Sequence, residues 1–319
     1  MTKLVAIVGP TASGKTALSI ELAKRLGCEI IGCDSMQIYR EMNIGTAKPT
    51  SKETCGIPHH VIDFLPPDKN FSAEAYKELA AAAISDISSR KKIPLIVGGT
   101  GLYLDTLLRS SNAQVPPASA EYREKILSCI KCEEDITALW KKLYECDAPS
   151  AEKIHKNNFK RVIRALEIYD VTGKPKSYWD ELSKVGAGEY DAKVFVLDFH
   201  NREALYSRID KRVDVMMEMG LLSEVSALLK KGYLRGEDTA SSAIGYKELV
   251  RYVLGEVSLS EAVNEIKLCS RRYAKRQLTW FRHESGAKTV YMDDEAGAMR
   301  DISEPLSEIL GELYGFLGK

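Results

Sequence analysis

Short apolar, β-branched runs alternate with helical patterns through the first third of the chain. Leu4 to Val8 (LVAIV) reads as a strand and residues 16–26 as a helix. Glu29 to Gly32 reads as a second strand, His60 to Phe64 as another, and Ile93 to Val97 as a buried strand running into Gly98-Gly99. The alanine-rich stretch Ala73 to Ser88 is the helix between the last two. Strands that are apolar throughout, rather than at alternate positions, and that are separated by helices predict a parallel sheet buried on both faces. Such sheets have right-handed crossovers and bind ligands beyond the carboxyl ends of their strands.

The periodicity breaks near Ser110, where Ser-Ser-Asn is followed by Val115-Pro116-Pro117. The next stretch is helical in character until a strongly apolar strand, Lys193 to Phe199 (KVFVLDF), arrives late. The expectation is an α/β core over residues 1–113 and 191–319 that carries a small helical insertion over 114–190. Further helices are expected over 202–219, 223–230, 246–254, 260–281 and 303–316, with no internal repeat or low-complexity segment.

Candidate chemistry begins at the end of the first strand. Gly9-Pro10-Thr11-Ala12-Ser13-Gly14-Lys15-Thr16 fits G-x-x-x-x-G-K-[ST] in full, between a strand and a helix, which is the context a phosphate loop (P-loop) requires. Glycines let successive backbone N–H groups turn toward phosphate oxygens, and the helix N-terminus adds its positive end. Lys15 contributes a point charge and Thr16 a hydroxyl suited to Mg²⁺. The fold class that follows is a P-loop, doubly wound α/β sheet with an inserted helical domain. The loop alone does not say what becomes of the phosphates. A guanine-reading Asn-Lys-x-Asp is absent, and Asp198 reads as a strand end.

Other polar groups collect after the strands. Cys33-Asp34-Ser35-Met36-Gln37 follows the second strand, where Asp34 reads first as a loop cap, and otherwise as a general base or an indirect magnesium partner. Asn43 to Pro49 is a polar, glycine-marked loop. Gly98-Gly99-Thr100-Gly101 ends a buried strand in an open turn, which serves either close ligand approach or tight packing.

Charge refines the picture. The chain has 319 residues, and 45 Lys+Arg against 45 Asp+Glu sum to zero, which taken alone weighs against a nucleic-acid partner. The zero is a cancellation: residues 264–288 hold seven Lys/Arg against Glu265 and Glu284, whereas 289–319 hold seven acids against Arg300 and Lys319. Residues 151–176 form a second basic stretch, with seven Lys/Arg and three acids. Seven cysteines without a regular framework predict reduced thiols. Cys129 and Cys132 form a lone CxxC with no second pair or His to complete a zinc site, and are read as helix packing. No run approaches the ~20 apolar residues of a membrane helix, and no signal peptide is evident, so a cytoplasmic protein without membrane partners is expected.

Three readings remain at this point: a transferase acting on RNA, a small-molecule or nucleotide kinase, and a nucleotide-controlled RNA-binding switch. The combination of blocks decides between them. GPTASGKT (9–16), CDSMQIY (33–39), NIGTAKP (43–49), PHHVID (58–63), PLIVGGTGLY (94–103), the pair Arg208 and Arg212, IGYKEL (244–249) and KRQLTWFR (275–282) resemble the tRNA dimethylallyltransferases, or tRNA isopentenyltransferases, of bacterial type. The resemblance runs in the same order over about residues 4–283.

It implies transfer of a dimethylallyl group from dimethylallyl diphosphate to N6 of adenosine 37, beside the tRNA anticodon, with release of diphosphate. By the same resemblance, residues 9–16 hold the diphosphate with Mg²⁺ at Thr16, and Arg212, with Arg208, reaches the same anion. Asp34 takes the proton from N6. The tRNA anticodon stem-loop then meets Asp34, Ser35, Met36, Gln37, Thr100, Arg123, Lys160, Arg161, Arg164, Lys275, Arg276, Gln277, Trp280 and Arg282. The target adenine must leave the anticodon-loop stack to enter the site. One departure is Ser242, where family members often carry Gln, which puts in doubt an amide contact to a base there. The family also suggests a monomer.

Overall fold

A computed structural model of the chain describes residues 1–108, 115–116, 119–183, 188–236, 238–284 and 286–318. The chain divides into two compact units, Met1–Leu108 with Tyr190–Lys319, and Arg109–Glu189. The expected boundary at 113/114 lies outside the described residues. The larger unit opens with β1 (Thr2–Val8), α1 (Lys15–Leu26), β2 (Cys28–Cys33), β3 (His59–His60), α2 (Ala73–Ser89), β4 (Ile93–Gly98) and α3 (Gly101–Leu108). The smaller unit holds α4 (Ala120–Cys129), α5 (Glu133–Cys146), α6 (Ala148–Lys153), α7 (Phe159–Thr172) and α8 (Lys176–Leu182). The larger unit resumes with β5 (Tyr190–Asp198), α9 (Arg202–Glu218), α10 (Leu221–Lys230), α11 (Tyr246–Val253), α12 (Leu259–Phe281), β6 (Lys288–Tyr291) and α13 (Ser303–Leu317).

The sheet has six strands in the order β3-β2-β4-β1-β5-β6, and every pair is parallel. Side chains of β1 leave alternately for its two faces. Val5 and Ile7 pack with α1, α9 and α13 through Leu18, Leu22, Ile209, Ile309 and Leu313. Leu4, Ala6 and Val8 pack with α2 and α3 through Ile84, Ile87, Leu104 and Leu107. Both faces are dry, which is why these strands carry no polar alternation, and each such burial stabilises by ~1.5–3 kcal/mol. This is the doubly wound P-loop arrangement that the sequence predicts.

Two strands depart from expectation. The segment His60 to Phe64 pairs only through His59–His60, because Val61 and Asp63 adopt left-handed φ of 57° and cannot continue an extended strand. The edge strand β6 escapes prediction because only Val290 of its four residues is buried. A third apolar cluster joins Ile38, Tyr39 and Met42 to α10, α11 and the start of α12. In the smaller unit, α5, α6 and α7 pack around Leu143, Ala151, Val162 and Leu166. Cys129 closes α4 while Cys132 caps α5, so the two thiols flank a break between helices and are exposed rather than packed. No helix among the described residues is long and apolar enough to cross a membrane.

Candidate active site

The phosphate loop runs from the central strand β1 into α1. Gly9 sits at φ 149°, and a Cβ there would lie 2.7 Å from the Leu197 carbonyl oxygen of β5, so the loop must start with glycine to leave the sheet at this point. Ala12 takes a left-handed φ of 62°, and Gly14 caps α1 at φ 89°. Lys15 Nζ donates to the carbonyls of Gly9 (3.0 Å) and Pro10 (2.6 Å), folding back over the loop. Burial, and then the charge of Arg212, lower the Lys15 pKa to about 7. Thr16 lies half-buried in the first turn of α1. Ser13 is fully buried, and its hydroxyl has no partner among the described residues.

Two arginines of α9 extend this positive end. Arg208 Nε donates to the Ala12 carbonyl at 3.0 Å and so grips the loop itself. Arg212 is partly buried, which pushes its pKa down, while the negative charges of Asp34 and Glu53 oppose that shift. Arg212 therefore lies within electrostatic reach of both Lys15 and Asp34. Asp198, at the end of β5, is spent elsewhere. Its carboxylate accepts from the Phe199 N–H and pairs with Arg202 and Arg282.

Beside the loop, β2 and β4 deliver the acceptor side. Gly98 and Cys33 approach so closely that a Cβ on Gly98 would overlap the Cys33 carbonyl, and the N–H groups of Gly99 and Thr100 both donate to that oxygen. Thr100 Oγ1 accepts from the Ser35 N–H at 3.0 Å. Asp34 Oδ1 accepts from the N–H groups of Met36 (2.9 Å) and Gln37 (3.3 Å), so the carboxylate caps its own turn. Among the described residues, Oδ2 accepts no hydrogen bond. Burial, and then the nearby Asp34 charge, raise the phenol pKa of Tyr273 on α12.

The Gln37 amide donates to the carbonyls of Thr46 and Ala47. That loop is held in turn from α10. The Glu224 carboxylate accepts from the backbone N–H groups of Asn43, Ile44 and Gly45 and, at 2.6 Å, from the buried Tyr246 hydroxyl. A Cβ on Gly45 would lie 2.4 Å from the Tyr246 ring, which explains how the NIGTAKP and IGYKEL blocks belong together. Ser242 donates its hydroxyl to the Thr239 carbonyl and presents no amide.

On α12 the basic stretch sorts into two groups. Lys267 pairs with Asp214, Arg271 with Asp210, Arg282 with Asp198, and Lys288 beyond the helix with Glu308 and Glu312. Arg272, Lys275 and Arg276 are exposed without an ion pair among the described residues. Arg276 also lies 5.4 Å over the Tyr273 ring. Gln277 points inward, while Trp280 packs one edge against the protein and stays 37% exposed. Gln277 is buried between backbone groups, and the Trp280 indole rests on Gly101 and donates to Asp105 at 3.3 Å.

In the smaller unit, Arg123 on α4 and Lys160 and Arg161 on α7 are exposed. Arg164 is committed to the buried Glu167 (2.7 Å) and to the Pro116 carbonyl. The structure thus brings together residues 9–16, Asp34 to Gln37, Thr100, Arg208 and Arg212. It gives Gln37, Arg164 and Gln277 protein partners in place of open faces, whereas Trp280 and Arg282 have protein partners and remain exposed. Sequence reasoning missed Glu224, Tyr246 and Tyr273. The signal for Tyr246 was present in Gly45 and IGYKEL, whereas Glu224 had none.

A family model described as IPP transferase matches residues 37–284. The tRNA dimethylallyltransferase of Caldanaerobacter subterraneus subsp. tengcongensis is 46% identical over 293 residues, 92% of each chain. That of Geobacillus kaustophilus is 46% identical over 314 residues, 98% of this chain and 97% of its own. The crystal structure of a Staphylococcus epidermidis tRNA delta(2)-isopentenylpyrophosphate transferase matches with a TM-score of 0.71 and 40% identity over 99% of both chains. A crystallographically studied eukaryotic dimethylallyltransferase acting on tRNA matches with a TM-score of 0.80 and 30% identity over 98% of this chain and 78% of its own. With the loop, the acceptor side and these likenesses in agreement, the chain belongs to the IPP transferase family.

Proposed function

We propose that this chain transfers the dimethylallyl group of dimethylallyl diphosphate to N6 of adenosine 37 in tRNA, releasing diphosphate and leaving N6-isopentenyladenosine. The observation that carries this reading is the meeting, at the carboxyl end of one parallel sheet, of a phosphate loop gripped by Arg208 and a carboxylate, Asp34, fixed by two backbone N–H groups. In the displacement, the bond between C1 and the diphosphate oxygen breaks as the N6–C1 bond forms, and N6 gives up a proton. The loop N–H groups from Ala12 to Thr16, with Lys15, Arg208 and Arg212, stabilise the charge gathering on the leaving diphosphate. Diphosphate binding restores the charged form of Lys15 that burial disfavours. Asp34 is the base. Its Oδ1 is anchored by two N–H groups, and Oδ2 is left to take the N6 proton.

Mg²⁺ fits this donor set. Among the described residues, no group of three or more His, Cys, Asp or Glu could hold a metal by itself. A hydroxyl beside phosphate oxygens suits a hard cation that binds mainly through its substrate. Thr16 would hold it, and when bound it supplies charge to the departing diphosphate.

The anticodon stem-loop meets Ser35, Met36 and Thr100 at the acceptor side and the exposed cations Lys275 and Arg276, joined by Arg272. Arg123, Lys160 and Arg161 of the smaller unit add phosphate contacts. Trp280 and Arg282 join them through their exposed surfaces, and Gln37 and Arg164 act from behind, through their protein partners. The protein works as a cytoplasmic monomer.

The test is direct. Protein, Mg²⁺, dimethylallyl diphosphate and unmodified tRNA are incubated, and the RNA is digested to nucleosides. Isopentenyladenosine is expected at position 37, and its absence with a competent tRNA sinks the reading. Phosphoryl transfer from ATP in its place would mark a kinase.

A further inference from the structure

The inner face of α12 presents Tyr273, Gln277 and Trp280, spaced so that all three fall on one side of the helix. Gln277 is only 6% exposed. Its Oε1 accepts from the Thr11 N–H of the phosphate loop at 2.9 Å, and its Nε2 donates to the Gly99 carbonyl, also at 2.9 Å. The contact is built for an amide. A Cβ on Gly99 would lie 2.2 Å from that nitrogen, so the turn admits the side chain only because residue 99 is glycine. The next residue, Thr100, holds the Ser35 N–H beside Asp34. Three residues further along the helix from Gln277, Trp280 clamps the same turn at Gly101. One side chain therefore spans the loop for the leaving group and the turn that carries the acceptor side.

From this geometry we infer that Gln277 is a positioning residue for the transfer reaction, setting the distance between the diphosphate loop and the acceptor-side turn through its two amide bonds. The inference rests on the transferase reading above. Displacement at C1 requires the attacking nitrogen and the leaving oxygen to be held on opposite sides of one carbon. A misplacement of about 1 Å in such a site costs about 10²-fold in rate. Gln277 touches no reacting atom in this scheme. Its effect is on turnover at saturation, and tRNA affinity is left to the exposed cations of the same helix.

Two variants test it, with wild-type isopentenyladenosine formation as the control for the underlying reading. Gln277→Met keeps the volume and removes both bonds. In protein that melts as a folded chain, kcat at saturating substrates should fall roughly 30- to 300-fold. The KM for dimethylallyl diphosphate and the Kd for tRNA should stay within about threefold. A kcat within about threefold of wild type overturns the inference, as does lost tRNA affinity with kcat retained, which would make Gln277 an RNA contact. Gln277→Glu keeps the acceptor for Thr11 but turns a bare carboxylate toward the Gly99 carbonyl. Protonation restores a donor there, so the ratio of its kcat to that of wild type should rise as the pH falls. A side chain that merely fills space gives a flat ratio. If Gln277→Met does not fold, that profile decides alone: a rising ratio upholds the inference and a flat one overturns it. If wild type forms no isopentenyladenosine, the transferase reading itself has failed.

Discussion

Glu224 offers the most quantitative test of how the acceptor side is built. Its carboxylate accepts from three backbone N–H groups of the 43–45 loop and from the Tyr246 hydroxyl at 2.6 Å. Hydrogen bonds to a charged group contribute ~1.5–3 kcal/mol each when desolvated and less where water can replace the partner. Asn43 is exposed and recovers most of its loss from water. Tyr246 is fully buried, and its orphaned hydroxyl costs ~1–3 kcal/mol. Adding one partly screened loop bond, we expect Glu224→Ala to destabilise the loop and its α10–α11 support by ~2–4 kcal/mol.

Tyr246→Phe removes the hydroxyl that Glu224→Ala would orphan, leaves the carboxylate its loop N–H partners and should cost about 1 kcal/mol, so the pair should couple by ~1–2 kcal/mol in a double-mutant cycle. Because the chain has two units, global melting is a poor reporter, and amide hydrogen exchange over residues 42–48 is the better assay. Exchange there should accelerate by roughly 30- to 1,000-fold in Glu224→Ala, with the centre of the sheet unchanged. The carbonyls of Thr46 and Ala47 hold the Gln37 amide next to Asp34, so kcat should fall as well. Unchanged protection of Ile44 and Gly45 would refute the argument.

Other perturbations test separate parts of the site. Asp34→Ala should lower turnover by ~10²–10⁴-fold while tRNA binding survives, and parallel loss of both contradicts the base role. Arg272→Ala or Arg276→Ala should weaken tRNA binding and reduce its log–log salt slope by about 1, whereas Arg271→Ala should change the slope less because Arg271 is already paired with Asp210. Equal slopes for all three variants would show that the internal ion pairs do not matter. Lys15 is held near pH 7, from an ordinary 10.5, by burial and Arg212. Between those values the unfolded chain binds more proton at this residue, so this group's contribution to stability improves as pH rises from about 7 toward 10.5. Lys15→Met removes that dependence. Its stability advantage over wild type, read by denaturant titration of the ligand-free protein, should be largest below pH 7 and shrink as the pH climbs. A pH-independent gap argues that Lys15 is not buried in its charged form.

What could be read from the residues follows from the range of the forces involved. Strand β1, the phosphate loop and α1 are local: LVAIV buries both faces, and the glycines are dictated by the turn. The charge pattern was legible in sign but not in amount. Asp198, Asp210, Asp214 and Glu312 neutralise Arg282, Arg271, Lys267 and Lys288 from other elements, leaving three free cations on α12 among the described residues. Gln277 and Glu224 were illegible in their roles because their partners are backbone atoms far away in the chain, 178 to 266 residues for Gln277 and 179 to 181 for Glu224. Backbone groups carry no sequence signature. Asp34 shows the intermediate case, since its cap is local and its proximity to Arg212 is not.

The strand order has a consequence for the birth of the protein. The central strand β1 is flanked by β4 and β5, and Thr2 pairs with Tyr190. During synthesis at ~5–20 residues per second, β1 waits ~10–40 s after leaving the ribosome before its second neighbour is made. The wait includes the whole smaller unit, Arg109–Glu189. Through that interval the apolar edge of β1 is unpaired, an open invitation to another nascent chain. The half-made sheet is therefore the stage at which this protein most needs a chaperone, and slowing translation within residues 109–189 should raise aggregation more than slowing it after β5.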